Sequence, residues 1–173
     1  MFFKKKSPSC GTTNPKDAKT CASCGASFES KQAESRVESS EAIKDYDEAI
    51  RLNPQSAEAY YKRGFVYQKL RQGERAIDDF DKAIRINPQF AKAYSNRAYA
   101  YLNKKQYDLA IADCTKAIKL DPNDAVARLN RGVAYKLQGN KAEATADFEK
   151  VINLSDNPQV IKMAKQQITK LSK

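Results

Sequence analysis

Residues Ala57 to Pro88, AEAYYKRGFVYQKLRQGERAIDDFDKAIRINP, decide the fold, because their pattern returns at a fixed interval on both sides. At a spacing of 34 residues Tyr67 becomes Tyr101 and Tyr135, Ala76 becomes Ala110 and Ala144, Phe80 becomes Cys114 and Phe148, and Ile84 becomes Ile118 and Ile152. In the other direction Ala42, Tyr46, Ala49, Ile50, Leu52 and Pro54 repeat the second half of the pattern, Ala76 to Pro88. A period of this length means a helical solenoid unit, which completes its core by stacking on copies of itself.

Within one unit the spacing predicts two helices. Tyr60, Gly64 and Tyr67 fall at i, i+4 and i+7, one stripe of a first helix. Gln72-Gly73 interrupts it, glycine being the usual residue just past a helix end. Ala76, Phe80, Ala83 and Ile84 form the facing stripe of a second helix, which Asn87-Pro88 stops because proline cannot continue it. Helices are predicted over 57–70, 74–86, 91–103, 108–120, 125–138 and 142–154. With Tyr60, Gly64, Tyr67, Ala76, Phe80, Ala83 and Pro88 in these places, the unit resembles the tetratricopeptide repeat family. The resemblance implies an all-α, right-handed helix-turn-helix solenoid with full repeats at 57–90, 91–124 and 125–158. A half repeat precedes them, within a repeat domain spanning 41–173, and a capping helix follows at 159–171. In that last helix Ile161, Ala164, Ile168 and Leu171 make one apolar face opposite a basic one.

The chain has 173 residues and a net charge of +10. The excess sits at the ends: residues 1–37 hold seven basic and three acidic residues, and residues 158–173 hold Lys162, Lys165, Lys170 and Lys173 and no acid. That distribution reads as solvated tails and caps rather than as a nucleic-acid surface. No run approaches the roughly 18 apolar residues of a membrane span. Phe2 and Phe3 ahead of three lysines read as a polar tail rather than a membrane contact, and no apolar stretch suggests a signal peptide. With three clustered cysteines, these features predict a reducing, cytoplasmic setting.

Ahead of the repeats, residues 7–28 read SPSCGTTNPKDAKTCASCGASF and, with the basic tail, make up a segment 1–28. They resemble the small zinc-ribbon knuckles common at the amino end of bacterial proteins, in which two Cys-x-x-Cys pairs are each followed by Gly. Cys21, Cys24 and Gly25 keep the second pair; in the first only Cys10 and Gly11 remain, with Ser7 where a cysteine would stand. Structural zinc prefers four thiolate or imidazole ligands, and the chain has no histidine. Three readings stay open: a zinc site of Cys10, Cys21 and Cys24 completed by water or a borrowed ligand, a relic without fixed structure, or a Cys21–Cys24 disulfide. Residues 29–40 read as a polar linker, with a helical form left open, that leads into a lone second-type helix over 41–52, a lid on the first repeat. In a further register Arg63, Arg97 and Arg131 face Asp45, Asp79, Asp113 and Asp147. Pairing across repeats is expected, Asp45 with Arg63, Asp79 with Arg97, Asp113 with Arg131 and Asp147 with Lys165, each exposed pair contributing at most about 1 kcal/mol.

Catalysis is not expected. No histidine can act as a base near neutral pH, no phosphate loop or nucleophile elbow is present, and Cys114 stands in the packing register of Phe80 and Phe148. What remains is the inner surface of the solenoid, which in this family holds peptides. It would present Tyr61, Lys62, Phe65 and Lys69, then Lys92, Asn96, Tyr99 and Asn103, then Leu129, Asn130, Val133 and Lys136. Aromatic area, amide hydrogen bonding and lysine charge imply a partner peptide with acidic and apolar residues, so the protein reads as an adaptor that needs no cofactor unless zinc fills the knuckle. Alternatives are a nucleic-acid factor using the knuckle and lysine tails, whose binding would weaken steeply with salt, and a self-associating scaffold. One subfamily grips the Glu-Glu-Val-Asp tail of chaperones through five polar positions. Here only Asn96 matches, with Tyr61, Phe65, Val126 and Asn130 at the other four, so chaperone tails are expected not to bind.

Overall fold

A computed structural model of the protein describes residues 4–7, 10–15, 18–25 and 30–171; the tail residues Phe2, Phe3 and Lys173 lie outside them. Two units divide the chain, Met1–Asp45 and Tyr46–Lys173. In the first, β1 (Lys4–Lys6) pairs antiparallel with β2 (Thr13–Pro15), Lys5 opposite Asn14. Among the described residues this two-stranded sheet precedes the helices, and the array that follows is all-α as expected.

Helix α1 spans Ser30–Leu52 across the unit boundary. The segment 29–40, expected as a linker, is therefore helical from Ser30. No glycine or proline interrupts 30–52, and its Glu, Gln, Lys, Arg and Ala residues favour the helix.

The second unit carries α2 (Ala57–Lys69), α3 (Gly73–Ile86), α4 (Ala91–Asn103), α5 (Tyr107–Leu120), α6 (Ala125–Leu137), α7 (Lys141–Leu154) and α8 (Pro158–Leu171). Each of these seven helices lies within one residue of its expected ends, whereas the lone helix expected over 41–52 begins eleven residues earlier, at Ser30. The turns between first and second helices close differently from the reading of Gln72-Gly73. The left-handed residues are Arg71, Lys105 and Gly139, with φ of 60°, 60° and 87°, and Gly73 instead begins α3. In all three turns the next residue donates its N–H back to a tyrosine carbonyl, Gln72 to Tyr67, Gln106 to Tyr101 and Asn140 to Tyr135, each at 2.9 Å. This six-residue closure satisfies a carbonyl that the helix end would leave orphaned.

Every helix pair buries its own stripe: Ala76, Phe80 and Ala83, then Ala110, Cys114 and Ala117, then Ala144, Phe148 and Val151, all with no exposed surface. Gly64 and Gly132 let the rings of Phe80 and Phe148 lie against the first helix. A Cβ on Gly64 would sit 2.9 Å from the Phe80 ring, and one on Gly132 2.6 Å from the Phe148 ring. In the middle repeat the same two positions are Ala98 and Cys114, both fully buried. The methyl group on one helix is matched by a smaller side chain on the other, which keeps the layer close-packed.

Arginine joins the pairs. Arg63 donates twice to Asp79 of its own repeat, at 2.8 and 2.6 Å, and once to Asp47 at 2.6 Å. Arg97 donates to Asp113 at 2.7 and 2.7 Å and to Asp81 of the preceding repeat at 2.5 Å. Arg131 donates to Asp147 at 2.7 and 2.7 Å and to Thr115 at 3.2 Å. The expected pairing was displaced: the buried aspartates serve their own repeat, and a second row, Asp47, Asp81 and Thr115, makes the stitch between neighbours. The guanidinium's planar fork allows both, two parallel bonds inward and one outward. Tyr60 and Tyr67 flank Arg63, and Tyr94 and Tyr101 flank Arg97, at 5.6–5.9 Å from the ring centres.

Candidate functional site

The first helices touch one another in turn, α2 with α4, α4 with α6 and α6 with α8, whereas α3, α5 and α7 make no such contacts among the described residues. Closer spacing on one side makes the first helices the inner wall, and the predicted ligand-facing residues lie on it. Tyr61 and Asn96 meet there, Asn96 Nδ2 donating to Tyr61 Oη at 3.0 Å and to the Lys92 carbonyl at 3.1 Å. Asn96 thus offers a ligand its Oδ1 acceptor rather than its N–H groups. The Tyr61 ring is half-buried among Phe65, Phe80 and Phe90, at 6.5, 6.0 and 4.8 Å, and this burial raises its hydroxyl above the ordinary tyrosine pKa.

Phe65 and Tyr99 keep 37% and 43% of their surface exposed, enough apolar area to be covered by a ligand. Lys69 lies over the Phe65 ring at 4.7 Å, and Lys62 pairs with Glu58 at 3.5 Å. Lys69, Tyr99 and Asn103 line one cavity of about 830 Å³ between the ends of α2 and α4, together with Arg71, Glu74 and Lys104. A Lys104–Glu74 ion pair closes its rim at 2.5 Å. Lys92 and Asn103 are exposed on the same helix as Asn96 and Tyr99.

The third repeat departs from the expectation. Leu129 is only 5% exposed and belongs to the core with Ala144, Phe148, Val151 and Ala164, against which Val133, Val160, Ile168 and Leu171 pack. Helix α8 follows α7 directly and lays its apolar stripe on α6. Lys136 is held as well, donating to Gln167 of α8 at 2.7 Å, and Asn130 is partly buried. Of the predicted wall, the most exposed side chains are therefore those on α2 and α4.

Phe90 was missed. It occupies the helix-start position where the other repeats place the capping residues Ser56 and Asp124, which bond Ala59 and Ala127 N–H groups at 3.2 and 2.8 Å. A phenylalanine at a position where a side-chain oxygen is preferred was the available signal; here the ring serves the Tyr61 cluster instead. Arg71 and Lys104 were missed because they lie in turns, and Glu74 because it lies in the first turn of α3, outside the inward stripe.

In the amino-terminal unit the sulfur atoms of Cys10, Cys21 and Cys24 all lie within 4.8 Å of one another, and Cys10 and Cys21 are 3.5 Å apart. All are free thiols, so the disulfide alternative is not realised. A tetrahedral zinc ion with Zn–S bonds near 2.3 Å requires sulfurs about 3.8 Å apart, so the three fit one ion with small adjustments. Hydrogen bonding, first that between Cys10 Sγ as donor and the Thr12 hydroxyl oxygen at 3.2 Å, draws the Cys10 thiol down to about 6. The Cys24 and Ser23 backbone N–H groups lower that of Cys21. Asn14, nearly fully buried, ties the site together: its Nδ2 donates to the Thr12 carbonyl at 2.7 Å and approaches Cys21 Sγ at 3.6 Å, and its Oδ1 accepts from Ala22 N–H at 2.9 Å. Cys114, by contrast, is pushed far up by burial, as a packing residue should be.

Stacked helix pairs with an open inner wall define a helical repeat solenoid. Models of the tetratricopeptide repeat match residues 57–90 and 91–124, and further repeat models match 38–70 and 114–146; the chain belongs to the tetratricopeptide repeat family. It is similar to the Arabidopsis OM64 TPR domain, with 31% identity and a TM-score of 0.63 over 66% of this chain and 95% of that one. The first TPR of Spaghetti (RPAP3) bound to HSP90 peptide SRMEEVD is 29% identical, with a TM-score of 0.64 over 68% and 91%. The second TPR domain of human RPAP3 in complex with HSP70 peptide SGPTIEEVD is 35% identical, with a TM-score of 0.59 over 66% and 92%. A sequence comparison with curated proteins returns no match. The expectation that chaperone tails are excluded is overturned by these two complexes, in which domains of the same fold and comparable identity hold such tails. Matching five polar positions one by one was too narrow a criterion. Among the described residues no helix is long and apolar enough to cross a membrane.

Proposed function

We propose that the protein is a non-catalytic adaptor that holds an extended partner segment with acidic and apolar residues against α2 and α4. The observation that carries this is the pairing of exposed Phe65 and Tyr99 with Lys62, Lys69 and Lys92 on one wall. Aromatic rings give contact area at low entropic cost, and the lysines favour carboxylates. Acidic tails with a valine before the final aspartate, of the kind held by the two similar RPAP3 domains, are the first candidates. Titrating fluorescently labelled SRMEEVD and SGPTIEEVD peptides into the full chain tests the reading. Micromolar binding that is lost when Lys69 and Lys92 are changed to alanine supports it. Equal binding of a scrambled, acid-free peptide overturns it.

A second reading follows from the three converging sulfurs: Cys10, Cys21 and Cys24 hold one zinc ion as a structural centre in a reducing, cytoplasmic setting. Bound zinc would clamp the hairpin to the turn at Cys21–Cys24. Removal by a chelator should increase proteolysis of residues 1–25 and leave the repeat helices unchanged; equal proteolysis with and without zinc defeats this reading.

A further inference from the structure

We propose that this centre is a three-thiolate metal site with its fourth coordination position open to an exchangeable soft donor from outside the chain, an imidazole or a thiolate. The inference rests on the zinc reading above and deepens it.

The two turns of the knuckle are copies of one another. Gly11 N–H donates to the Ser7 carbonyl at 2.9 Å, and Gly25 N–H to the Cys21 carbonyl at 2.9 Å. Both glycines are left-handed, with φ of 73° and 69°. Ser7 therefore stands in the first turn where Cys21 stands in the second, and the two are equally buried, each 3% exposed. Its Oγ lies 3.5 Å from Cys24 Sγ, at the corner of the sulfur cluster. The backbone has kept a four-ligand knuckle while the ligand atom itself has changed. A serine hydroxyl in that corner remains protonated near neutral pH and is a feeble donor beside three thiolates. A three-thiolate site with a fourth position held by water is the arrangement in which a metal exchanges ligands.

Nothing else in the chain can complete the set with a soft donor. There is no histidine, and the fourth and last cysteine, Cys114, has no exposed surface in the core of the second repeat. An imidazole or a fourth thiolate then comes from outside these residues, which makes the knuckle a second point of attachment in addition to the peptide-binding wall.

Cobalt(II) tests this in the full-length chain, reduced and freed of metal, because its thiolate charge-transfer and visible bands report ligand number and geometry. One cobalt per chain is expected, with visible bands that shift when imidazole is added. Ser7→Cys should raise the charge-transfer intensity by about one third, four thiolates against three, and abolish the imidazole response. Ser7→Ala should behave like the natural chain. If the natural chain binds no cobalt while Ser7→Cys does, the zinc reading itself fails and the inference with it. If cobalt binds but imidazole has no effect and Ser7→Ala alters the spectrum, Ser7 oxygen is the fourth ligand. The open position is then refuted while the zinc reading stands. Half a cobalt per chain, two molecules sharing one ion, also overturns it.

Discussion

Arg63 shows how much one side chain decides in a repeat protein. Its partner Asp79 is almost fully buried, while its other partner, Asp47, keeps about half its side chain in water, 6% against 52% exposed. Removing a buried partner leaves a charge without its hydrogen bonds, whereas removing an exposed one exchanges it for water. Asp79→Ala should therefore cost about 3 kcal/mol and Asp47→Ala less than about 1 kcal/mol, as measured by urea unfolding. Equal losses would show that the two contacts carry the seam alike. The left-handed residues make a second residue-scale case. Arg71 and Lys105 adopt a conformation that a Cβ opposes, and Gly139 takes the same place in the third repeat without that opposition. Arg71→Gly and Lys105→Gly should each raise stability by about 1 kcal/mol. A lower melting temperature in both would mean that the side chains themselves hold the turns.

At the scale of the helix, the middle pair differs from its neighbours by a compensated exchange. Gly64 with Phe80 and Gly132 with Phe148 place a ring against a bare backbone; Ala98 with Cys114 places a methyl group against a small side chain. Cys114→Phe alone should collide with the Ala98 methyl and cost about 1–3 kcal/mol. Adding Ala98→Gly should restore most of the loss despite glycine's poor helix propensity. A double variant no more stable than Cys114→Phe would disprove the pairing. Helix α8 follows the same logic at the end of the array. Its stripe of Val160, Ala164, Ile168 and Leu171 packs against the core of α6 and α7, as the first helix of a repeat does on the pair before it.

For the whole molecule, that cover leaves the proposed ligand wall most open in the first two repeats. Tyr99→Ala should weaken peptide binding about tenfold or more, by roughly 1.4 kcal/mol, while Asn130→Ala should leave it within twofold; isothermal titration of SRMEEVD measures both. The reverse order would place the ligand on the third repeat. Helix positions, their order and the inward stripes were legible in the chain because a 34-residue period repeats the same local choices and each unit needs only its neighbours. Ser7 was also legible as a substitution in a knuckle pattern, though not its burial at the sulfur cluster. Three things needed the tertiary structure. Which aspartate each arginine takes depends on the angle between helices, and spacing along the chain allows either row. Leu129 and Val133 read as wall residues until α8, two elements on, packs against them. Phe90 stands out in the sequence only as an odd residue for a helix start; its role shows once Tyr61, from the first helix of the same repeat, comes within 4.8 Å. Periodicity is a property of the chain alone and determines the helices; contacts between units distant in sequence depend on how those helices cross, and only packing in three dimensions decides that.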